Sequence, residues 1–421
     1  MTSDVHRAIH AVFRIESARL IGGIARMVRD VGLAEELAQD ALVSALEHWP
    51  NEGIPDNPGA WLMATAKRRA IDELRRKKRL EQKHEEIGRE LEGTQDVSAR
   101  DIEAALDDDV GDDLLRLIFT SCHPTLSTEA RVALTLRLLG GLTTEEIARA
   151  FLAPEPTIQQ RIVRAKRSLS EASVPFEVPR GPELQARLGS VLEVIYLIFN
   201  EGYSATAGDD WMRPGLCEDA LRLGRILAEL MPSEPEVHGL VALMEIQASR
   251  SQARTGPGGE PVLLLEQNRA RWDQLLIRRG LAALERAEAL AAQRGYYTFQ
   301  AAIAACHARA RSAQETDWMR IASLYSELLE VMPSPVVALN HAVAVSMAYG
   351  PEAALTLVDQ LQAEGVLEGY HLLPTVRGDL LHKLGRMTEA RQEFLRAAEM
   401  TRNARERTLL LTRAASCESL P

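Results

Sequence analysis

The chain is 421 residues long with a formal net charge of -11; 46% of its residues are hydrophobic and only 5% aromatic. That length exceeds one ordinary domain and implies two to four, and the composition suits Leu/Ala-rich helices. No apolar run is long enough to cross a bilayer, and the start "MTSDVHRAIHAVFRIES" lacks a signal peptide's basic end and apolar core, so a cytoplasmic protein with no membrane partner is expected.

Residues 1–84 read as helices. "IESARLIGGIARMVRD" places Ile15, Leu20, Ile24 and Met27 at roughly helical spacing. "GLAEELAQDALVSALEHW" puts Leu33, Leu37, Ala41, Leu42 and Leu46 on one face. "PNEGIPDNPGA" holds too much Pro, Gly and Asn for a regular element and reads as a loop. From about Pro58 a basic helix follows, and "WLMATAKRRAIDELRRKKRLEQK" crowds cations from Trp61 to Lys83. The span from Trp61 to Leu80 would be about 30 Å long.

Residues 85–112 then turn acidic: Glu85, Glu86, Glu90, Glu92, Asp96, Asp101, Glu103, Asp107, Asp108, Asp109 and Asp112, with Asp113 closing the run. With little apolar periodicity they read as a flexible linker. Charge is thus segregated. Screening confines a surface field to about 8 Å, so a basic helix can meet phosphates although the whole chain is acidic.

A compact helical unit is expected over 113–173. Thr143 and Glu146 make a capping box, so a helix starts there with Ile147, Ala148 and Phe151 inward. After the turn "LAP", Pro156 suits the first position of a second helix. There Ile158, Ile162, Ala165 and Leu169 share one side, and Thr157, Gln160, Arg161 and Arg164 the other, with Gln159 beside them. Such a helix-turn-helix suits major-groove readout: Arg pairs with guanine and Gln with adenine, while Lys166 and Arg167 would take phosphates.

"SVPFEVPRGP" separates this unit from a helical part at 178–421. There "LAELMPSEPEVHGLVALM" is echoed by "LLEVMPSPVVALNHAVAV", placing Met231 and Met332 about three 34-residue units apart. Near the end, Gly385, Ala390, Phe394 and Ala397 are spaced as in a tetratricopeptide hairpin. A degenerate helical-hairpin array follows. Cys122, Cys217, Cys306 and Cys417 show no C-x-x-C spacing, which suits reduced thiols. The pairs Cys122-His123 and Cys306-His307 could each supply only one ligand comfortably, so they read as buried small side chains and no cofactor or metal is expected. No Gly-rich phosphate loop, His-Glu zinc motif or nucleophile elbow marks an enzyme.

Three stretches resemble the extracytoplasmic-function (ECF) group of the bacterial sigma-70 family. "LAEELAQDALVSALEHW" is similar to region 2.2, "NPGAWLMATAKRRAIDELRRKKR" to regions 2.3 and 2.4, and "LSTEARVALTLRLLGGLTTEEIARAFLAPEPTIQQRIVRAKRSL" to region 4. A sigma part followed by "VIYLIFNEGYSAT", "QNRARWDQL" and a tetratricopeptide-like tail resembles the subgroup with long C-terminal extensions, ECF42. The resemblance implies an all-α chain: a region 2 bundle, a linker, a region 4 helix-turn-helix and a regulatory helical array. It implies core RNA polymerase and promoter DNA as partners. Glu36, Leu37, Gln39, Asp40 and Leu42 would dock the polymerase. The 50–60 loop would hold a flipped base of the -10 element, with Trp61 either a stacking wedge or, the favoured reading, a buried structural residue. Lys67, Arg68, Arg69, Arg75 and Arg76 would grip the DNA backbone. Arg68 stands where the family commonly has Asn, and Pro154 stands where its recognition helix has a capping Ser, leaving Glu155 to hold that end. An intramolecular contact between the tail and the sigma part is also expected. Two other readings stay open. A helix-turn-helix activator with a tetratricopeptide-like sensor would lack the docking and melting stretches at 33–80; a repeat scaffold would show no salt-dependent DNA binding.

Overall fold

The structure, a computed structural model, describes residues 2–88 and 110–418. These form two compact units, Met1–Ile195 and Tyr196–Pro421.

The first unit begins with α1 (Thr2–Val28), α2 (Val31–Glu52) and α3 (Pro58–Gly88). Asp30 caps α2, its carboxylate accepting from Leu33 N at 2.9 Å. The seam of α2 is built of small residues: Ala34, Ala38, Ala41 and Ala45 are wholly buried, letting α1 and α3 approach closely, while Leu33, Leu42 and Leu46 are only half-buried. Ile15 departs from its expected face and is 71% exposed. Five residues separate it from Leu20, which turns it roughly 140° away.

The expected loop at 50–60 is mostly helical. α2 continues through Pro50 to Glu52, α3 begins at Pro58, and only residues 53–57 lie between. Gly53 ends α2 at a φ of 88°, its N–H reaching Trp49 O at 3.0 Å. Asn57 Oδ1 accepts from Ala60 N at 3.0 Å and fixes the start of α3.

Next come α4 (Val110–Ser121), α5 (Thr128–Leu138), α6 (Thr144–Ala150) and α7 (Glu155–Glu171). The ends of the anticipated linker are helical, since residues 85–88 belong to α3 and 110–112 to α4; the rest of the acidic run, 89–109, lies outside the described residues. Asp113 is no linker residue. It is buried and ion-paired with Arg26 of α1 at 3.4 Å and Arg116 at 2.7 Å. The capping box of α6 forms as expected, with Glu146 N donating to Thr143 Oγ1 at 3.1 Å and Thr143 N to Glu146 Oε2 at 2.8 Å. α7 starts one residue early, so Pro156 is its second residue. No side chain caps it; the backbone carbonyl of Pro154 accepts from Thr157 N at 2.9 Å, and Glu155 in the first turn contributes only its charge.

The helices α1–α3 and α4–α7 are joined by α1 packing on α4 and by an ionic junction at Glu35. This α2 carboxylate is 4% exposed. It accepts from Arg137 Nε at 2.6 Å and Gln39 Nε2 at 2.7 Å, and is ion-paired with Lys166 of α7. Beside it Ser170 Oγ donates to Asp30 at 3.3 Å. A helix α8 (Pro182–Tyr203) runs through the boundary between the units. Its first turns belong with region 4: buried Arg187 donates to Phe119 O at 2.9 Å and Ser190 Oγ to Cys122 O at 2.7 Å.

The second unit stacks helices as successive hairpins: α9 (Pro214–Leu230), α10 (Pro235–Ala248), α11 (Gln274–Leu290), α12 (Tyr296–Arg309), α13 (Trp318–Val331), α14 (Pro335–Tyr349), α15 (Pro351–Ala363), α16 (Leu372–Lys383), α17 (Met387–Met400) and α18 (Ala404–Ser416). The sequence echo is also a structural one. Met231 and Met332 both end their helix with an N–H bond of 2.8 Å to the carbonyl four residues back, and the next helices open on Pro235 and Pro335. Their surroundings differ, Met231 being buried and Met332 44% exposed. Ala390, Phe394 and Ala397 are wholly buried, and Gly378 leaves room for the Phe394 ring, which an added Cβ would meet at 2.9 Å. Strands β1 (Ala207–Gly208) and β2 (Arg402–Asn403) pair in parallel. Asn403 locks them, its Nδ2 donating to Ala205 O at 3.0 Å and Asp210 O at 2.9 Å.

One buried carboxylate facing two cations makes a measurable junction. Glu35→Gln leaves Arg137 and Lys166 partly buried without a counter-charge and is expected to destabilise the first unit by about 3 kcal/mol. In a urea-denaturation double-mutant cycle, Glu35→Gln and Lys166→Met should couple by more than about 1 kcal/mol. Additive effects would show that the pair carries no energy of its own.

Candidate nucleic-acid and polymerase interface

On α3 the cations lie outward. Arg68, Arg75, Arg76, Lys77, Lys78 and Arg79 are exposed, whereas Lys67 and Arg69 are half-buried. Arg76 is paired with Glu73 at 2.9 Å, and that hydrogen bond lowers the carboxyl's pKa and raises the guanidinium's. Arg75 sits 4.0 Å from Asp72. Such solvent-exposed pairs are weak, so the guanidiniums stay available to phosphate. Lys67 and Arg68 have no ion-pair partner among the described residues. Arg69 is turned inward, donating to Ser44 Oγ at 2.8 Å and pairing with Asp40 at 2.9 Å. One residue expected on DNA therefore holds one expected on polymerase.

Trp61 is half-buried, edge-on to the buried Trp49 with centroids 5.2 Å apart and tilted against His48 at 6.4 Å. It is anchored as part of the core while keeping some exposed surface next to the 53–57 turn.

On α7, Ile158, Ile162, Ala165 and Leu169 are buried as the pattern requires, and Thr157, Gln159, Gln160, Arg164 and Arg167 are exposed. Arg161 is half-buried and lies near enough to Glu129 to help lower that carboxyl's pKa, behind a backbone hydrogen bond and one from Ser127. Arg164 has no ion-pair partner among the described residues. Arg167 reaches along its own helix to Glu171 at 2.6 Å. Lys166 departs most from expectation. One residue from Arg167, it points about 100° away, inward to Glu35, so its ammonium is not free for phosphate.

On α2, Glu36 and Asp40 are exposed, Gln39 and Leu42 half-buried, and Leu37 is buried in the core. Gln39, Leu42 and exposed Val43 line, with Phe13, Ile21 and Thr143, a groove of about 650 Å³. Leu37 lies on another side of α2 from that groove and is a core residue. Glu35 and Arg137 were not singled out from the sequence. Their signals are slight: a second Glu beside Glu36, and one Arg in the Leu-rich run "VALTLRLLGG".

The first unit thus exposes the α3 cations, the polar face of α7 and the acids of α2, with Asp40 held against α3 by Arg69. Residues 13–80 match the family model for sigma-70 region 2, and residues 116–169 match that for sigma-70 region 4. Residues 187–288 match a family of unknown function, DUF6596. The chain is 43% identical over 388 residues to the uncharacterized protein R00370 of Rhizobium meliloti (strain 1021), covering 92% of this chain and 90% of that protein. It is 33% identical over 157 residues to the ECF RNA polymerase sigma factor SigK of Mycobacterium tuberculosis (strain ATCC 25618 / H37Rv), 36% of this chain and 78% of SigK. With the probable ECF RNA polymerase sigma factor SigI of the same strain it shares 29% identity over 175 residues, 41% of this chain and 58% of SigI. Both sigma regions are thus present in order, and the chain belongs to the ECF RNA polymerase sigma factor family.

Proposed function

We propose that the chain docks on core RNA polymerase through the α2 surface, opens and grips the -10 element with α3 and its preceding turn, and reads the -35 element with α7. The observation that carries this is the outward face of α7, where Gln160 and Arg164 stand exposed one turn apart above a buried apolar stripe. Glu36, Gln39, Asp40 and Leu42 would contact polymerase, with Leu37 serving the core. Exposed Arg68, Arg75 and Arg76, with Lys67, would neutralise phosphates without reading sequence. The exposed part of Trp61 would stack on an unpaired base. The chain's acidity is no obstacle, since these cations act locally and polymerase adds its own DNA contacts.

The Glu35 clasp gives this function a closed state. The -10 and -35 elements lie about 25 base pairs apart, roughly 85 Å along B-DNA at 3.4 Å per pair. Helices packed together as α1 is on α4 and tied by Arg26–Asp113 and the Glu35 ion pairs cannot span that, so this packing and the clasp must open on the promoter. The segment 89–109, fully extended, reaches about 70 Å, and α3 and α4 contribute the remainder.

The second unit fits the ECF42-like, tetratricopeptide-like reading. Its repeated hairpins and buried Ala390, Phe394 and Ala397 support that. It would regulate the sigma part through an intramolecular contact, in place of a separate inhibitor.

Two outcomes test this reading. Arg164→Ala should weaken binding to a matched -35 sequence by about 1–3 kcal/mol relative to a scrambled one in a filter-binding or anisotropy assay, the scale of a lost bidentate base contact. Equal loss on both sequences would reduce Arg164 to a phosphate contact. Removing residues after Ile195, which keeps the α8 turns that cover region 4, should change promoter-specific transcript yield with purified core polymerase. Equal yields across protein concentrations would leave the second unit without a regulatory role.

A further inference from the structure

The stretches "NEGYSAT" and "QNRARWDQ" have no part in promoter reading, yet the fold brings them together in the second unit. Arg254 lies 3.6 Å from the centroid of the Tyr203 ring and 5.4 Å from that of Trp211. Arg250 lies 5.7 Å from both the Tyr203 and Trp272 rings, and Arg269 is 4.9 Å from Trp272. The result is an alternation of Arg254, Tyr203, Arg250, Trp272 and Arg269, three guanidiniums separated only by rings.

No carboxylate stands within 4.0 Å of any of the three among the described residues. The nearby Glu201 is taken by Arg213. Glu315 acts on Arg269 only through its field, while its carboxylate accepts from Arg311 N at 3.3 Å. The protein acceptors are all neutral. Arg254 donates to Tyr203 O at 3.0 Å, and Arg250 to the Tyr203 hydroxyl and Gln247. Arg269 donates to His307 O and Ala310 O at 2.7 Å each and to Thr316 Oγ1 at 2.8 Å.

Several buried donors remain without an acceptor: the Nε of Arg250, Arg254 and Arg269, and the indole Nε1 of Trp211 and Trp272. Trp272 is 3% exposed. Against them stands the unpaired Oε1 of Gln267, 8% exposed. Burial lowers the pKa of Arg254 and Arg269, and Arg250 adds to it. Burial, then Arg250 and Arg269, hold His307 neutral with a pKa of about 3. Clustered like charges with unanswered buried N–H groups are unfavourable unless something negative and acceptor-rich joins them. Ring faces attract a cation but cannot satisfy edge-on N–H donors. Arg250 and Arg254 are half-buried, so solvent reaches the cluster from their side.

We propose that Arg250, Arg254 and Arg269, with Trp211 and Trp272, form a binding site for an oxyanion, the phosphate or carboxylate group of a small ligand. The site goes beyond promoter reading and does not depend on it. Guanidinium forks match both groups in geometry, and desolvated indole N–H donors strengthen the hold on either.

The test is thermal unfolding of the full chain at constant pH and ionic strength in chloride, inorganic phosphate or succinate, with tryptophan emission followed in parallel. Phosphate or succinate at saturation should raise Tm by about 3 °C or more over chloride. A rise with phosphate alone assigns a phosphate ligand, with succinate alone a carboxylate, and with both the shared oxyanion chemistry. Arg254→Met and Arg250→Met should abolish the rise, each read against the same variant's own Tm in chloride. An equal rise in the variants, or none in the unsubstituted chain, would overturn the proposal and leave a ladder satisfied by rings and water. The unsubstituted-chain titration decides the matter even where a variant fails to fold.

Discussion

A buried carboxylate, Glu35, ties the two halves of the sigma part together where α1 already packs on α4. Buried in the region 2 helix that would face polymerase, it meets Arg137 at 2.6 Å and Lys166, both from region 4. A carboxylate so desolvated needs cations close at hand, and partly buried cations need it in return. That mutual need joins the docking helix to the end of the recognition helix. It also explains why Lys166 turns away from the DNA-reading face of α7 while Arg164 stays on it. An ion pair suits this task better than an apolar contact, because charges that part can be rehydrated.

The two units handle charge differently. In the first, cations meant for DNA lie on helix surfaces and make loose pairs with their own helix, as Arg76 does with Glu73 and Arg167 with Glu171. Those pairs are easily exchanged for phosphate. In the second, Arg250, Arg254 and Arg269 are drawn inward among aromatic rings. In the same unit half-buried Arg377 is neutralised in the ordinary way, by Asp359 and Glu393, each at 2.8 Å. Against that background the uncompensated ladder stands apart.

Local chemistry was readable from the chain. The capping box of Thr143 and Glu146 involves residues three apart, and the apolar stripe of α7 repeats with the helical period, so both follow from neighbours alone. The structural role of Trp61 was readable as one of its two roles, whereas the helical continuation through Pro50 was not, since Pro, Gly and Asn around it read as a loop. Glu35 with Arg137 was not readable at all: the partners lie 102 residues apart, and only the tertiary fold tells Glu35 from the exposed Glu36 beside it. The same holds for the ladder, whose residues come from three separate stretches. For Ile15, a plausible spacing placed an exposed side chain on the wrong face.

Spin labels report most directly on a sigma factor that is clasped when free and open on a promoter. Positions Glu47 of α2 and Ala172 at the end of α7 are both exposed and outside the clasp, so cysteines there carry labels without disturbing it. Pulsed electron resonance should give one short, narrow distance in the free chain. With core polymerase and promoter DNA that distance should lengthen by several tens of ångströms, toward the roughly 85 Å that separates the promoter elements. An unchanged short distance in a transcribing complex, or a long and broad one in the free chain, would contradict it.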